Sequence, residues 1–283
     1  MTEPVRRAAN DVADWLELVA LTRGAAVSGD ALAELAAAAG IRGADVGLGT
    51  GTMARRSALL GEAYPFRVAG GGIAALPHAG STPWTALLLL TPGVRGGTSL
   101  RLEEAAVHLE QVTGAALDEF FGPGTQVLRF AWPSDEGRPQ EFSSAVRWLA
   151  ERMGAPLGSA YRPPYRKDGG VDVVAWRPFV DRRSGFPVLL AQCTLEQDYE
   201  HKAGDIDLRV WDGWLSLDVD PMTALAVPGV VPAGEPWNRL AARTLILDRP
   251  RLAGLLAGRP QPERLLPALR WAAAEVERLR AAS

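Results

Sequence analysis

The sequence predicts an α/β (α+β) protein in which a mixed central sheet is flanked by helices. Residues 140–153 carry apolar side chains at helical spacing, Phe142, Val146 and Leu149 among them, behind a first-turn proline. Two apolar runs of strand length follow, Val171–Trp176 and Val188–Gln192. Because helical and strand patterns alternate, we expect a mixed sheet covered by helices.

The first 135 residues are predicted to form a helix-rich mixed α/β accessory domain of unknown role. Val12, Leu16 and Val19 lie on one face of a helix, and a second helix is predicted over 31–39. The unbroken apolar run Trp84–Leu90 stands between two prolines and predicts a strand that is buried on both faces. A helix over 102–117 and a strand over 127–132 complete this domain.

Residues 136–283 are predicted to form the second domain, which contains the mixed sheet. The charged segment 133–139, rich in proline and glycine, marks the boundary. After the helix and the two strands already named, further strands are predicted at 224–227 and 244–247, and a helix closes the chain from about residue 265.

Composition excludes several classes of protein. A chain of 283 residues, 47% hydrophobic, can bury one large core or two modest ones. Its net charge of −3 is unlike that of a polycation that coats nucleic acid, so any such contact must be local. A single cysteine, Cys193, excludes an internal disulfide and a Cys-based zinc cage. With no apolar leader and no apolar run long enough to span a bilayer, we expect a cytoplasmic protein without a membrane anchor.

Two polar residues interrupt the paired apolar strands. Asp172 lies inside the first strand, where a carboxylate is costly unless it is solvated, paired or bound to metal. Gln192 ends the second strand, so neighbouring strands could place the two side by side as half of a site for a divalent cation. The ordinary alternatives are a solvated strand residue for Asp172, a solvated strand end for Gln192, and a turn for Asp168-Gly169-Gly170.

The segment Asp168–Ala175, followed by Leu189–Cys193, resembles the PD-(D/E)xK, or restriction-endonuclease-like, superfamily. It is particularly similar to Mrr-type members, in which a D-G-G-I/V-D strand precedes a strand that ends in Q-x-K. The resemblance covers about residues 139–255 and implies a restriction-endonuclease-like core that hydrolyses DNA phosphodiester bonds with Mg²⁺ or Mn²⁺. It matches Asp172 to the metal-binding aspartate and Gln192 to the residue that replaces the second acid. The lysine of the motif is absent, because position 194 is Thr194.

The resemblance also implies the remaining site residues. Lys202, one of only two lysines in the chain, is the predicted replacement for the missing catalytic lysine. The early helix of the family often supplies an acid, which Glu141 matches approximately, with Glu151 as the alternative. The predicted catalytic residues are Asp172, Gln192, Lys202 and Glu141, and the predicted metal ligands are Asp172, Gln192 and Cys193. Separately from the resemblance, basic residues that surround the two strands could grip phosphates, and the predicted contacts with DNA are Lys167, Arg177, Arg182 and Arg183.

Three functional hypotheses follow. The first is a nuclease acting on double-stranded DNA in a bacterial anti-phage system, as a homo-oligomer or beside an operon-encoded ATPase or helicase. The second, favoured by Thr194, is a catalytically degenerate nuclease fold that binds nucleic acid or another protein. The third interprets the glycine run Gly47–Thr52 as a methyltransferase loop for S-adenosylmethionine.

Overall fold

The chain forms two compact units. The computed structural model describes residues 3–134, 136–159 and 169–282, with side chains from residue 9 onward. Unit 1 contains the chain up to His108, the segment Pro228–Gly234 and the chain from Asp248 onward; unit 2 contains Leu109–Val227 and Glu235–Leu247. This division differs from the predicted one at 135/136, because the chain returns to unit 1 near its end and the strand before residue 135 joins the sheet of unit 2.

Unit 1 is mainly helical. Its elements are α1 (Glu3–Arg23), α2 (Gly29–Ala38), α3 (Gly43–Leu60), β1 (Phe66–Ala69), β2 (Gly72–Ala75), α4 (Pro83–Leu90), α5 (Pro92–Arg95), the start of α6 (Leu102–Phe121), and, after the return of the chain, α10 (Arg249–Leu255) and α11 (Leu266–Ala281). The two strands form an antiparallel pair. The core of this unit lies between α1, α3, α4 and α11.

The predicted strand Trp84–Leu90 is wrong, because these residues form α4. The Thr82 hydroxyl caps the helix by accepting a hydrogen bond from the Thr85 N–H (3.2 Å), and Pro83 occupies its first turn. Every residue from Trp84 to Leu90 is buried. A helix that is buried all round has no polar face, so its sequence lacks the periodicity that distinguishes a helix from a buried strand.

The glycine run Gly47–Thr52 lies inside α3, so the interpretation as a methyltransferase loop is wrong. Such a loop presents unbonded N–H groups at a helix start, whereas N–H groups inside a helix are already bonded. Gly49 has a packing role instead. A Cβ there would lie 2.7 Å from the Val12 side chain and 2.8 Å from the Leu16 side chain, so glycine permits the close approach of α1 and α3.

Unit 2 contains a mixed sheet, as predicted, and this sheet has five strands. Its elements are the rest of α6, β3 (Gln126–Arg129), α7 (Phe142–Met153), β4 (Val173–Trp176), β5 (Val188–Cys193), a 3₁₀ helix (Glu200–Gly204), α8 (Leu208–Trp214), β6 (Met222–Ala226), α9 (Glu235–Ala241) and β7 (Leu245–Leu247). The strand order follows the sequence, β3-β4-β5-β6-β7. The first three strands are antiparallel, whereas β6 and β7 run parallel to β5.

The two faces of β5 meet different elements. Leu190 packs in an aromatic and aliphatic core that includes residues of α7 and α8, such as Phe142 and Trp211. On the opposite face, Cys193 contacts Thr113 of α6. Side chains that alternate along β5 therefore report on two separate environments. None of the described helices has the length and apolar character that crossing a membrane requires.

Candidate metal centre

Asp172 lies just before β4 and is held by its backbone between two strands. Its N–H donates to the Ala191 carbonyl (2.8 Å), and its carbonyl accepts from the N–H of Phe130 (2.7 Å). Its carboxylate oxygen Oδ2 accepts from the N–H of Cys193 (2.7 Å). The carboxylate thus lies against the N–H of the residue that follows Gln192, and Asp172 directly precedes the strand that pairs with the strand of Gln192. A shared cation site of the two side chains stays a prediction.

Gln192 has a buried side chain whose two polar atoms are in contrasting situations. Its Nε2 donates to Asp205 Oδ2 (3.1 Å), and the residue is 8% exposed. Its carbonyl oxygen Oε1 is buried and has no hydrogen-bond partner within the described part of the chain. The other buried side-chain atoms of this kind in the same ranges are nitrogens. A buried carbonyl oxygen without a donor is a position that a cation or a water molecule would complete.

Lys202, in the 3₁₀ helix, reaches the same carboxylate as Gln192. Its Nζ lies 3.3 Å from Glu196 Oε1 and 3.6 Å from Asp205 Oδ2. Burial lowers the lysine pKa, but the hydrogen bond to Glu196 and the charges of Glu196 and Asp205 outweigh it, so the pKa of Lys202 is raised. Lys202 is therefore an ammonium group at neutral pH. It can supply a positive charge but cannot act as a general base.

The glycine pair before Asp172 has a packing reason beyond a turn. Gly169 and Gly170 have φ values of +63° and +79°. A Cβ on Gly170 would lie 2.8 Å from the Asp205 carbonyl oxygen, and one on Gly169 would lie 2.8 Å from the Trp214 ring. The pair therefore lets the segment that carries Asp205 approach the start of β4. Asp168, the other predicted turn residue, lies outside the described residues.

Thr194, at the position of the missing lysine, orients the chain after β5. It is 6% exposed, its N–H donates to the Ala226 carbonyl (3.0 Å), and its Oγ1 accepts from the Glu196 N–H (3.2 Å). Glu196 in turn pairs with Lys202. Thr194 thus supplies no charge, but it helps to hold Glu196, the partner of Lys202.

The thiol of Cys193 does not fit the predicted role of metal ligand. Burial, followed by the nearby charge of Asp172, raises the pKa of this thiol well above its usual value, and Sγ lies 3.5 Å from Thr113 Oγ1. Metals bind the thiolate, which these surroundings disfavour. Cys193 contributes to the site through its N–H group, which binds Asp172.

Glu141 is engaged at the start of α7. Its carboxylate accepts from the N–H groups of Ser143 (3.0 Å) and Ser144 (2.7 Å) and from both hydroxyls. These hydrogen bonds lower the pKa of the exposed Glu141 to about 2. The geometry is that of a helix cap and gives no support to a catalytic role. Glu151, the alternative, is exposed near the end of the same helix.

Three acids near the site were missed by the sequence interpretation. Asp205 and Glu196 carry the contacts of Gln192 and Lys202. Glu110 is paired with Arg129, and its charge acts on the Cys193 thiol from α6. The helix beside Cys193 is thus α6, whereas the sequence search for an acidic helix settled on α7. The sequence offered one signal for Asp205, since it lies three positions after Lys202, a spacing at which an acid and a lysine can pair.

The predicted nucleic-acid contacts lie away from this cluster. Arg177, Arg182 and Arg183 are in the connection between β4 and β5, at the opposite end of β4 from Asp172. Four strand residues span about 13 Å. Arg177 donates to the Phe121 carbonyl (2.9 Å). Lys167, the fourth predicted contact, lies outside the described residues.

Comparisons with known proteins leave the site to be judged on its own geometry. No family model, curated protein or solved structure matches this chain. Within the described ranges, no group of three or more His, Cys, Asp or Glu side chains is arranged to hold a metal ion. A centre here would therefore need the amide oxygen of Gln192 besides carboxylates.

Proposed function

We propose that this chain is a metal-dependent nuclease with a restriction-endonuclease-like core, which hydrolyses DNA phosphodiester bonds with Mg²⁺ or Mn²⁺. The observation that carries the proposal is the Oε1 of Gln192, which is buried and unpartnered within the described residues and belongs to a residue directly followed in the chain by the N–H group that binds the Asp172 carboxylate. Carboxylate and amide oxygens are the ligands that these hard cations prefer. The resemblance supports the same pair, since the strand that Asp172 precedes neighbours the strand that Gln192 nearly ends.

The charge of the surrounding segment favours a cation over a bare phosphate. Residues 196–220 contain eight Asp and Glu side chains against one lysine and one arginine, a net charge of −6. A DNA phosphate would be repelled here unless a divalent cation compensated, whereas the same charge attracts the cation. When bound, the metal would activate water and polarise the phosphate. Lys202, held as an ammonium by Glu196 and Asp205, would stabilise negative charge that develops on the phosphate.

The wider setting of the proposed nuclease rests on the sequence resemblance. It comprises a cytoplasmic role in bacterial anti-phage defence, with an ATPase or helicase partner. The exposed Arg182 and Arg183 would contact the DNA backbone at a distance from the cleaved bond.

Metal binding and cleavage test the proposal together. In calorimetric titration with Mn²⁺, we expect one site whose affinity falls at least about 10-fold in Asp172→Asn, which keeps the size of the side chain but removes its charge. Glu235→Gln, which changes an exposed acid of the same unit outside the segment 196–220, should bind as the unmodified protein does. Plasmid DNA with Mg²⁺ or Mn²⁺ should be cut by the unmodified protein and the control and left intact by Asp172→Asn. Equal Mn²⁺ affinity in all three proteins would refute the centre.

A degenerate nuclease fold that binds without cutting is the second candidate. The buried Thr194 favours it, because this residue can supply no charge where the family has a lysine. Binding of DNA with no uptake of Mn²⁺ and no cleavage would select this function over the first.

A further inference from the structure

We infer that Asp205 is a positioning residue that fixes the orientation of the Gln192 amide and so presents the carbonyl oxygen to the cation. The inference rests on the proposed metal centre. A carboxylate accepts hydrogen bonds and cannot donate them, so the amide group that faces Asp205 Oδ2 at 3.1 Å must be the NH₂. The other end of the amide, Oε1, is then the atom left buried without a donor.

Orientation decides whether a glutamine can serve in a cation site at all. The oxygen and nitrogen of an amide have nearly the same size, and a flipped Gln192 would direct N–H hydrogens at the metal in place of a lone pair. A glutamate at this position would have no wrong orientation, because both of its terminal atoms are oxygens. Gln192 and Asp205 together therefore supply what a single acid supplies elsewhere: one metal-facing oxygen and one negative charge.

The placement of Asp205 is built into the fold. Its backbone carbonyl lies where a Cβ on Gly170 would be only 2.8 Å away, next to the segment that leads to Asp172. The same Oδ2 atom that binds Gln192 lies 3.6 Å from Lys202 Nζ. One carboxylate oxygen of Asp205 thus sets the orientation of the Gln192 amide and the position of the Lys202 ammonium group.

A double-mutant cycle separates orientation from general support of the fold. We would measure the Mn²⁺ dissociation constant by calorimetry in the unmodified protein, Asp205→Ala, Gln192→Glu and the double variant. Asp205→Ala should weaken binding about 10- to 100-fold when residue 192 is glutamine, the range typical of residues that orient metal ligands. With glutamate at 192, the same substitution should cause a clearly smaller loss, because only the charge of Asp205 is removed and the carboxylate at 192 cannot be misoriented.

The outcomes distinguish this inference from the metal centre itself. An equal loss in both backgrounds, or no loss in either, would refute the orienting role while leaving Asp172-dependent Mn²⁺ binding intact. Absence of Mn²⁺ binding by the unmodified protein and by Gln192→Glu would refute the centre. If Asp205→Ala shows no cooperative thermal transition, Asp205→Asn serves in both backgrounds. Its amide can donate as well as accept, so it should weaken binding more with glutamine than with glutamate at 192.

Discussion

Two buried polar clusters, one in each unit, differ in whether their oxygen atoms are paired. In unit 1, Asp14 and Glu17 of α1 meet Arg56 and Arg249 with their carboxylate oxygens paired. In unit 2, Gln192 is just as inaccessible, yet its carbonyl oxygen has no donor in the described ranges. Arg56 Nε lacks a partner within the described residues, but the carboxylate oxygens of the cluster in unit 1 are all paired. Because an unmet buried acceptor is costly, paired oxygens indicate a role in stability, whereas the unpaired oxygen of Gln192 indicates a place for a cation.

The network of unit 1 is balanced in charge and geometry. Arg249 donates from Nη1 and Nη2 to the two oxygens of Asp14 (2.9 and 2.8 Å). Tyr64 and Trp84 donate to the two oxygens of Glu17 (2.7 and 2.8 Å). Burial alone would raise the pKa of Asp14, but the charges of Arg249 and Arg56 outweigh it and hold the pKa below its usual value. Asp14 thus stays ionised in the core between its two arginine partners.

Removing one member of this network should have the largest effect. Arg249→Ala would leave Asp14 with one arginine partner, and would also remove donors to Thr91 and to the Pro228 carbonyl. We expect a loss of about 3–5 kcal/mol in the free energy of unfolding, as for other broken buried ion pairs. Urea denaturation followed by circular dichroism measures this loss.

The matched control is Arg270→Ala, which removes an exposed arginine of unit 1 and should change stability by less than about 0.5 kcal/mol. Equal stability of the two variants would show that the buried network contributes nothing, and would remove the contrast between the units.

Asp248 sharpens the comparison within unit 1, because it is buried like Asp14 but its pKa moves the other way. Burial raises the pKa of Asp248 to about 6, against the lowering effects of the Val231 and Arg251 N–H groups and of the nearby arginines. A raised pKa means that the folded state holds the proton more tightly. The stability from this proton is present below about pH 4 and is lost as pH rises through about 6.

Asp248→Asn cannot ionise and should escape this loss. Relative to the unmodified protein, the variant should gain up to about 3 kcal/mol in unfolding free energy between pH 4 and pH 7, with no further change above. Urea denaturation of both proteins at pH 4, 5, 6 and 7 measures the difference. A difference that is flat across this range would show that Asp248 titrates normally.

The sequence predicted those elements whose pattern of apolar residues fits only one kind of secondary structure. The strands Val173–Trp176 and Val188–Cys193 were anticipated to within two residues, since short apolar runs between polar turns bury best in a sheet. The helix α4 was mistaken for a strand because its apolar run is equally compatible with both. The division into units could not be predicted, because the return of the chain to unit 1 depends on long-range pairs such as Arg249 with Asp14.

At the site, sequence adjacency found Asp172 and Gln192 but not their supporting residues. Asp205 joins Gln192 across thirteen positions of loop and 3₁₀ helix, whose path no local pattern specifies. Glu141 was chosen for its place near a helix start, and that same place explains why it caps α7. Local physics thus identified residue types, whereas partners depended on the tertiary fold.

A comparison of two glycines tests whether the site geometry is fixed by close packing. Gly170 and Gly185 have nearly equal φ values, +79° and +82°, so alanine at either should cost about 1–2 kcal/mol of backbone strain. They differ in space, because a Cβ on Gly170 would lie 2.8 Å from the Asp205 carbonyl oxygen, whereas a Cβ on Gly185 would meet no atom within 4 Å. We therefore expect Gly170→Ala to lose about 1–2 kcal/mol more stability than Gly185→Ala in urea denaturation, within the range of overpacking costs.

Gly170→Ala should also weaken Mn²⁺ binding, since the segment that carries Asp205 must shift, while Gly185→Ala should bind Mn²⁺ as the unmodified protein does. Equal losses of stability with unchanged Mn²⁺ affinity would mean that the contact between the glycine pair and Asp205 gives way freely, and that the position of Asp205 is set by other residues.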